Sequence, residues 1–253
     1  MFKKKNDKSY PFLKRGFFES GAENLSKSYV SAVPFPHIVI DDFLPLEMAE
    51  TIANNFPSKE LSSFEQINIE YQVNKLGRTQ ENDFAGVPDY IRHFLLDMNS
   101  KIMIETVEKI TGISGLIPDP HFQGGALHQI LPGGKLDVHA DFNKHMRLNL
   151  DRRINLLLYL NKDWQESYGG HLELWDEKMK ECSKRVLPIF NRCVIFSTTS
   201  TSYHGHPVPL TCPENRTRNS IALYYYSNGR PKEENDEAHA TLWQERPDIK
   251  LED

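Results

Sequence analysis

Residues 139–160 read HADFNKHMRLNLDRRINLLLYL. The last eight divide by parity, because alternate side chains of an extended chain point to opposite faces. Ile154, Leu156, Leu158 and Leu160 make one face wholly apolar. Arg153, Asn155, Leu157 and Tyr159 mix polar and apolar groups on the other. A mixed face of this kind either borders a polar space or is solvated at a sheet edge. A second stretch, RNSIALYYY at 218–226, behaves alike, with Asn219, Ile221, Leu223 and Tyr225 opposed to Arg218, Ser220, Ala222 and Tyr224.

Working outward, the part after Pro118 is a succession of short strand candidates separated by Gly, Pro and Asn. They fall at 121–130, 135–140, 153–160, 171–175, 186–197, 201–205 and 219–227. Short strands broken by turn signals indicate a sandwich or barrel and exclude an alternating βαβ sheet. Upstream, His37 to Phe43 is β-branched and strand-like. Pro45 suits a first helical turn, and Leu46, Ala49, Ile52, Ala53 and Phe56 recur at helical spacing. A second helix is expected over 88–111, with Ile91, Phe94, Leu95, Met98 and Ile102 in one stripe and Gly112 as its stop. Leu242 and Trp243 are expected to dock the polar C-terminal segment. The fold class that results is mainly β (α+β), with N-terminal helices covering one face of a barrel.

The 253 residues, 39% of them hydrophobic, suffice for one substantial core. Residues 1–30 are expected to form a loosely ordered arm and 31–253 a single domain, with the barrel core at about 118–228. The formal charge of −5 gives no general affinity for nucleic acid. Lys3, Lys4, Lys5 and Lys8 read as a solvated basic terminus. No apolar run approaches a membrane span, and the opening residues lack the apolar core of a secretory signal. Cys182, Cys193 and Cys212 are odd in number and show no CxxC spacing, which argues against a disulfide framework and a zinc knuckle. A cytoplasmic protein without membrane or nucleic-acid partners is expected; oligomeric state is not legible.

His139 and Asp141 are one residue apart, so on an extended segment both point to one side and can chelate one ion. STTSTSYHGHPVPL, further on, offers His204 and His206. Two histidines and a carboxylate on one face of an ion form the triad of non-haem Fe(II) oxygenases. Small residues beside Arg218 leave a space that a carboxylate or phosphate can enter, and the planar guanidinium binds such groups in bidentate fashion.

These pieces, in this order, resemble the Fe(II)/2-oxoglutarate-dependent dioxygenases, in particular the prolyl 4-hydroxylase-like branch. The matching segments are LPGGKLDVHAD, RRINLLLYLNKDW, GGHLELW, CVIFSTTSTSYHGHPV and RNSIALYYY, with PFPHIVIDDFLP a weaker echo upstream. The resemblance implies a double-stranded β-helix, a jelly-roll barrel with iron at its mouth. It implies that His139, Asp141 and His204 hold Fe(II), with His206 as a rival for His204. It implies that Arg218 and Tyr159, beside Ser220 and Asn155, hold the co-substrate 2-oxoglutarate. The gap from His204 to Arg218 is longer than the family's, with LTCPEN as an extra loop, so Arg216 rivals Arg218. His128, Gln129 and Asn143 are candidates for the substrate pocket, and His145 either touches substrate or caps its loop.

The implied reaction is hydroxylation of an unactivated C–H, on a prolyl residue or a small metabolite. It uses O₂, releases succinate and CO₂, and takes ascorbate as an accessory reductant. Two other readings compete. A non-catalytic jelly-roll module binding a sugar or other anion would not need both the triad and the arginine. A metal-dependent isomerase or hydrolase would recruit further histidines in place of Arg218.

Overall fold

A computed structural model of the protein describes residues 11–14, 22–58, 65–78, 87–234 and 236–247. The basic cluster at Lys3, Lys4, Lys5 and Lys8 lies outside them. In chain order the elements begin with helix α1 (Ala22–Val30), strand β1 (His37–Ile40), helix α2 (Leu46–Asn54) and the strands β2 (Glu65–Ile69) and β3 (Gln72–Arg78). Helices α3 (Asp89–Met98) and α4 (Lys101–Thr111) follow. The barrel strands are β4 (Ile117–Pro118), β5 (Ala126–Ala140), β6 (Asp151–Tyr159), β7 (Leu172–Trp175), β8 (Cys182–Val186), β9 (Arg192–Ser197), β10 (His204–His206) and β11 (Arg218–Ser227). A short β12 (Leu242–Trp243) closes the described chain.

The strands run β1-β9-β6-β11-β5-β10-β7-β8, every pair antiparallel. β5 joins the two halves. Its first part pairs β11, with Ile130 opposite Arg218, and its last part pairs β10, with His139 opposite His204. This is the barrel expected from the strand pattern, nearly closed, in the jelly-roll form that the resemblance implies. The strands expected at 121–130 and 135–140 are one strand. Gly133, with φ +73°, bends it without ending it, and a Cβ on Gly134 would meet the Leu131 and Val73 carbonyl oxygens within 3 Å. Conversely, 186–197 divides into β8 and β9, because Pro188 and Asn191 turn the chain. The Asn191 side chain then bonds both the N–H and the carbonyl of Leu44.

The apolar parity of β6 and β11 faces the helices. Ile154, Leu156, Leu158, Ile221, Leu223 and Tyr225 pack in one core with Ile91, Phe94, Leu95 and Met98. The single helix expected over 88–111 is two. Ser100 is extended and accepts from the Met103 N–H, starting α4, so a local cap interrupts a stripe that is otherwise continuous. Gly112 ends α4 in the left-handed region, as its position predicts. Within the segment expected as a loose arm, Ala22–Val30 is helical and packs on α4; Tyr29 is buried and its hydroxyl meets Ser197 Oγ at 2.7 Å.

β2 and β3 form a hairpin whose second strand pairs β5. Leu242 and Trp243 dock as expected, opposite Ala140 and His139. No helix among the described residues is long and apolar enough to cross a membrane.

Candidate active site

The mixed parity of β6 and β11 faces into the barrel, where a cavity of about 210 Å³ is lined by Asn155, Leu157, Tyr159, Arg218, Ser220 and Tyr224, among others. At its mouth stand His139 and Asp141, from the end of β5, and His204, from the start of β10. One ligand atom from each lies within 4.8 Å of the others. His139 Nε2 is 3.6 Å from Asp141 Oδ1, and His204 Nε2 is 3.4 Å from Asp141 Oδ2.

Backbone carbonyls set the tautomers. His139 Nδ1 donates to the Asp137 carbonyl at 2.8 Å, and His204 Nδ1 donates to the Ser202 carbonyl at 2.9 Å. Both Nε2 lone pairs are therefore left facing Asp141, the orientation a metal requires of imidazole ligands. Burial, and then the proximity of His204, lowers the pKa of His139 and favours its neutral form. Burial works against the charge of Asp141, yet Arg152 beside it holds its carboxyl well below the usual range. Two imidazole nitrogens and one carboxylate, with no sulfur, form a donor set that fits a divalent iron-type ion with open positions.

Two groups fix Asp141. Arg152 approaches Oδ2 at 3.0 Å and the Asn155 amide donates to the same oxygen at 2.6 Å; Arg152 also donates twice to Asn155 Oδ1 and lies over the Tyr224 ring at 3.5 Å. Asn155, expected on the co-substrate, thus has its amide committed to Asp141. Arg153, expected on the inner face, points away to Ser227 and Glu234. The cause is a bulge: Tyr225 pairs Ile154 but Tyr226 pairs Arg152, so the parity shifts by one residue. Arg152 enters the site by that shift, and no alternation rule could have found it. Arg152→Met is expected to weaken divalent-metal affinity about 10–100-fold, the scale for losing a partner that orients a ligand. Anaerobic equilibrium dialysis measures it.

At the inner end, Arg218 is buried. Its Nε donates to the Gly170 carbonyl at 2.8 Å and its Nη2 reaches the Tyr159 hydroxyl at 3.3 Å. Among the described residues it has no carboxylate partner. Arg216 instead donates to the Lys162 carbonyl and lies outside the cavity lining. Gly170 has φ +73°, and a Cβ there would stand 2.6 Å from Leu210 Cδ2 and 2.9 Å from Arg218 Cδ. Gly170→Ala therefore strains the backbone and displaces the guanidinium. We expect 2-oxoglutarate affinity to fall about tenfold, from strain of roughly 1–3 kcal/mol, as read by calorimetric titration.

The remaining candidates separate by strand parity. His128 lines the cavity, its Nε2 donating to the Gly124 carbonyl. Gln129, the next residue, faces outward to Asn219 and Thr217. Asn143 is used by the C-terminal segment, accepting from the His239 N–H and donating to the Glu237 carbonyl. His145 is fully buried against Asp119 and its Nδ1 accepts two loop N–H groups, so it caps its loop. His206 lines the cavity two residues along from His204, with both ring nitrogens buried and without a hydrogen-bond partner among the described residues. Lys75 from β3 and Trp243 from β12 also line it. The alternation Ile67, Ile69, Tyr71, Val73 was the sequence signal for the strands that bring Lys75 in.

Residues 125–226 match the sequence profile described as the 2OG-Fe(II) oxygenase superfamily. This segment is similar to the 2OG-Fe(II) oxygenases. The match carries the triad, Tyr159 and Arg218 within it. Prolyl 3-hydroxylase OGFOD1 of Mus musculus is 33% identical over 79 residues, which are 30% of this chain and 14% of that protein. The chain thus spans only a small part of that curated relative. Among solved structures, a prolyl hydroxylase from Trichoplax adhaerens, in complex with a hypoxia inducible factor oxygen degradation domain peptide fragment, superposes with a TM-score of 0.60. It is 17% identical, over 85% of this chain and 94% of the other. A Pseudomonas putida prolyl-4-hydroxylase superposes with a TM-score of 0.56 at 17% identity, over 82% and 99% of the chains. At these identities the structural likeness establishes the double-stranded β-helix.

Proposed function

We propose that this protein is a 2-oxoglutarate-dependent hydroxylase. His139, Asp141 and His204 hold Fe(II), and Arg218 with Tyr159 holds the far carboxylate of 2-oxoglutarate. The observation that carries the reading is the coexistence, in one cavity, of a carbonyl-oriented His/Asp/His set and a buried arginine without a carboxylate partner. A binding module needs neither to be paired with the other, and a metal hydrolase has no use for the arginine.

When bound, the iron supplies activation of O₂ at the expense of 2-oxoglutarate decarboxylation. The chain's part is positioning. Asp137 and Ser202 carbonyls hold the imidazoles, Arg152 and Asn155 hold the carboxylate, and Tyr159 and Gly170 aim the guanidinium. Ser220 and Leu157 leave the space between them. Trp243, stacked on Tyr71 with centroids 5.0 Å apart and 5.0 Å from the His139 ring, walls the metal side against water. The similarity to prolyl hydroxylases favours a prolyl residue or a small cyclic metabolite as substrate. The unpaired cysteines and composition favour a cytoplasmic setting. The test is incubation of iron-loaded protein with proline-containing peptides and a metabolite panel. One oxygen atom added to a compound, matched by succinate, supports the reading; succinate-free binding of a sugar would support the binding-module alternative.

A further inference from the structure

The cavity carries more positive charge than the co-substrate explains. Three cations line it, Lys75, Arg152 and Arg218, against a single carboxylate, Asp141. A divalent metal and dianionic 2-oxoglutarate would cancel one another, leaving the loaded cavity two positive charges in excess. Arg152 is committed to Asp141, and Arg218 is aimed by Tyr159 and Gly170. Lys75 has no hydrogen-bond or ion-pair partner among the described residues. A cation kept in a cavity without a protein partner is costly unless a ligand supplies one.

Its placement is built by the sheet. Lys75 stands opposite Ile130 on β5, which stands opposite Arg218 on β11, so the three form one row across the inner wall. Both the Asp141 carboxylate and the Arg218 guanidinium act on the ammonium, which faces the cavity they share. A second row, Gln72–Leu136–His206, runs beside it. His206 there is only 3% exposed, and neither of its ring nitrogens has a hydrogen-bond partner among the described residues. A neutral imidazole always holds one N–H to donate. His128, on the same wall, spends its Nε2–H on the Gly124 carbonyl, so its Nδ1 can only accept and the donor left for an anion is His206.

Building on the hydroxylase reading, we propose that the primary substrate is a small anion, bearing a carboxylate or phosphate that docks on Lys75 with a hydrogen bond from His206. Lys75 is then a specificity-determining residue, contributed by the β2–β3 hairpin at the rim. Burial lowers its pKa to about 8, which leaves it mostly charged at neutral pH. The proposal narrows the substrate from any prolyl or metabolite C–H to one close to an acidic group.

Calorimetric titration of Zn(II)-loaded protein, saturated with 2-oxoglutarate, with inorganic phosphate and separately with acetate tests this without turnover. Wild type is expected to bind at least one of them in the millimolar range, and the stronger identifies the anion class. Lys75→Met should weaken that binding about tenfold or more, Lys75→Arg should retain it, and 2-oxoglutarate affinity should change less than about threefold in both. Melting temperatures verify that both variants fold. Binding of neither anion to wild type, or equal binding to Lys75→Met, overturns the proposal. So does a tenfold loss of 2-oxoglutarate affinity in Lys75→Met, which would make Lys75 a co-substrate anchor. Failure of 2-oxoglutarate itself to bind wild type would instead refute the underlying hydroxylase reading, and this inference with it.

Discussion

Asp141→Asn is expected to lose divalent-metal binding by about three orders of magnitude while keeping the fold. The amide preserves the shape, and its oxygen can still accept from Asn155 and Arg152, so the barrel wall stays satisfied. What disappears is the one anionic ligand. Truncating one partner of a buried charged contact costs roughly 2–5 kcal/mol, and 4 kcal/mol corresponds to nearly a thousandfold in affinity. Asp141→Ala removes the same ligand and also leaves the Asn155 and Arg152 donors without their acceptor, so it should lower stability further. His139→Ala and His204→Ala should behave like Asp141→Asn. His206→Ala should retain the metal, because the nitrogens that converge on Asp141 belong to the other two imidazoles. Anaerobic dialysis against Mn(II), with melting curves in parallel, measures both effects. Near-normal metal binding by Asp141→Asn would show that the ion, if any, lies elsewhere.

Arg218→Ala is expected to act on the co-substrate and leave the metal nearly untouched. The guanidinium is buried, held at Nε by Gly170 and close to the Tyr159 hydroxyl. Losing a bidentate, charge-assisted pair in such a place should cost about 2–5 kcal/mol, or one and a half to three and a half orders of magnitude in 2-oxoglutarate affinity. Arg218→Lys should recover only part of it, since an ammonium restores charge without the planar fork. Arg216→Ala should do little, because that side chain serves a loop carbonyl. Parallel titrations of 2-oxoglutarate and metal separate the two roles. Equal defects in Arg216→Ala and Arg218→Ala would contradict the strand phase on which the assignment rests.

Much of this was legible because parity is a local rule. The apolar sets of β6 and β11 were readable residue by residue, and the sheet placed them against α3 and α4. The spacing of His139 and Asp141 sufficed to put both on one side, and it took the pairing of β10 with β5 to bring His204 opposite. Parity fails where the backbone departs from regular extension. The bulge that exchanges Arg153 for Arg152 leaves no mark in composition, so the residue that steadies Asp141 was missed. The cap at Ser100 interrupts a helical stripe whose apolar period runs straight through it. Lys75 was hidden for another reason: the alternation from Ile67 to Val73 marks the strands, but only the pairing of β3 with β5 brings Lys75 to the cavity. Gln129 and Asn143 illustrate the converse, since nearness to the triad in sequence does not decide which way a side chain faces.

The central claim is that one cavity brings together a metal held by His139, Asp141 and His204 and 2-oxoglutarate held by Arg218. Succinate formation by the iron-loaded protein, measured against O₂ and 2-oxoglutarate consumption, tests it most directly. The account predicts one succinate for each 2-oxoglutarate consumed, formed only with Fe(II) and O₂ present, abolished in Asp141→Asn and recovered in Arg218→Ala only at high 2-oxoglutarate. Succinate formation by Asp141→Asn at the wild-type rate, or none from iron-loaded wild type across the substrate panel, would contradict it.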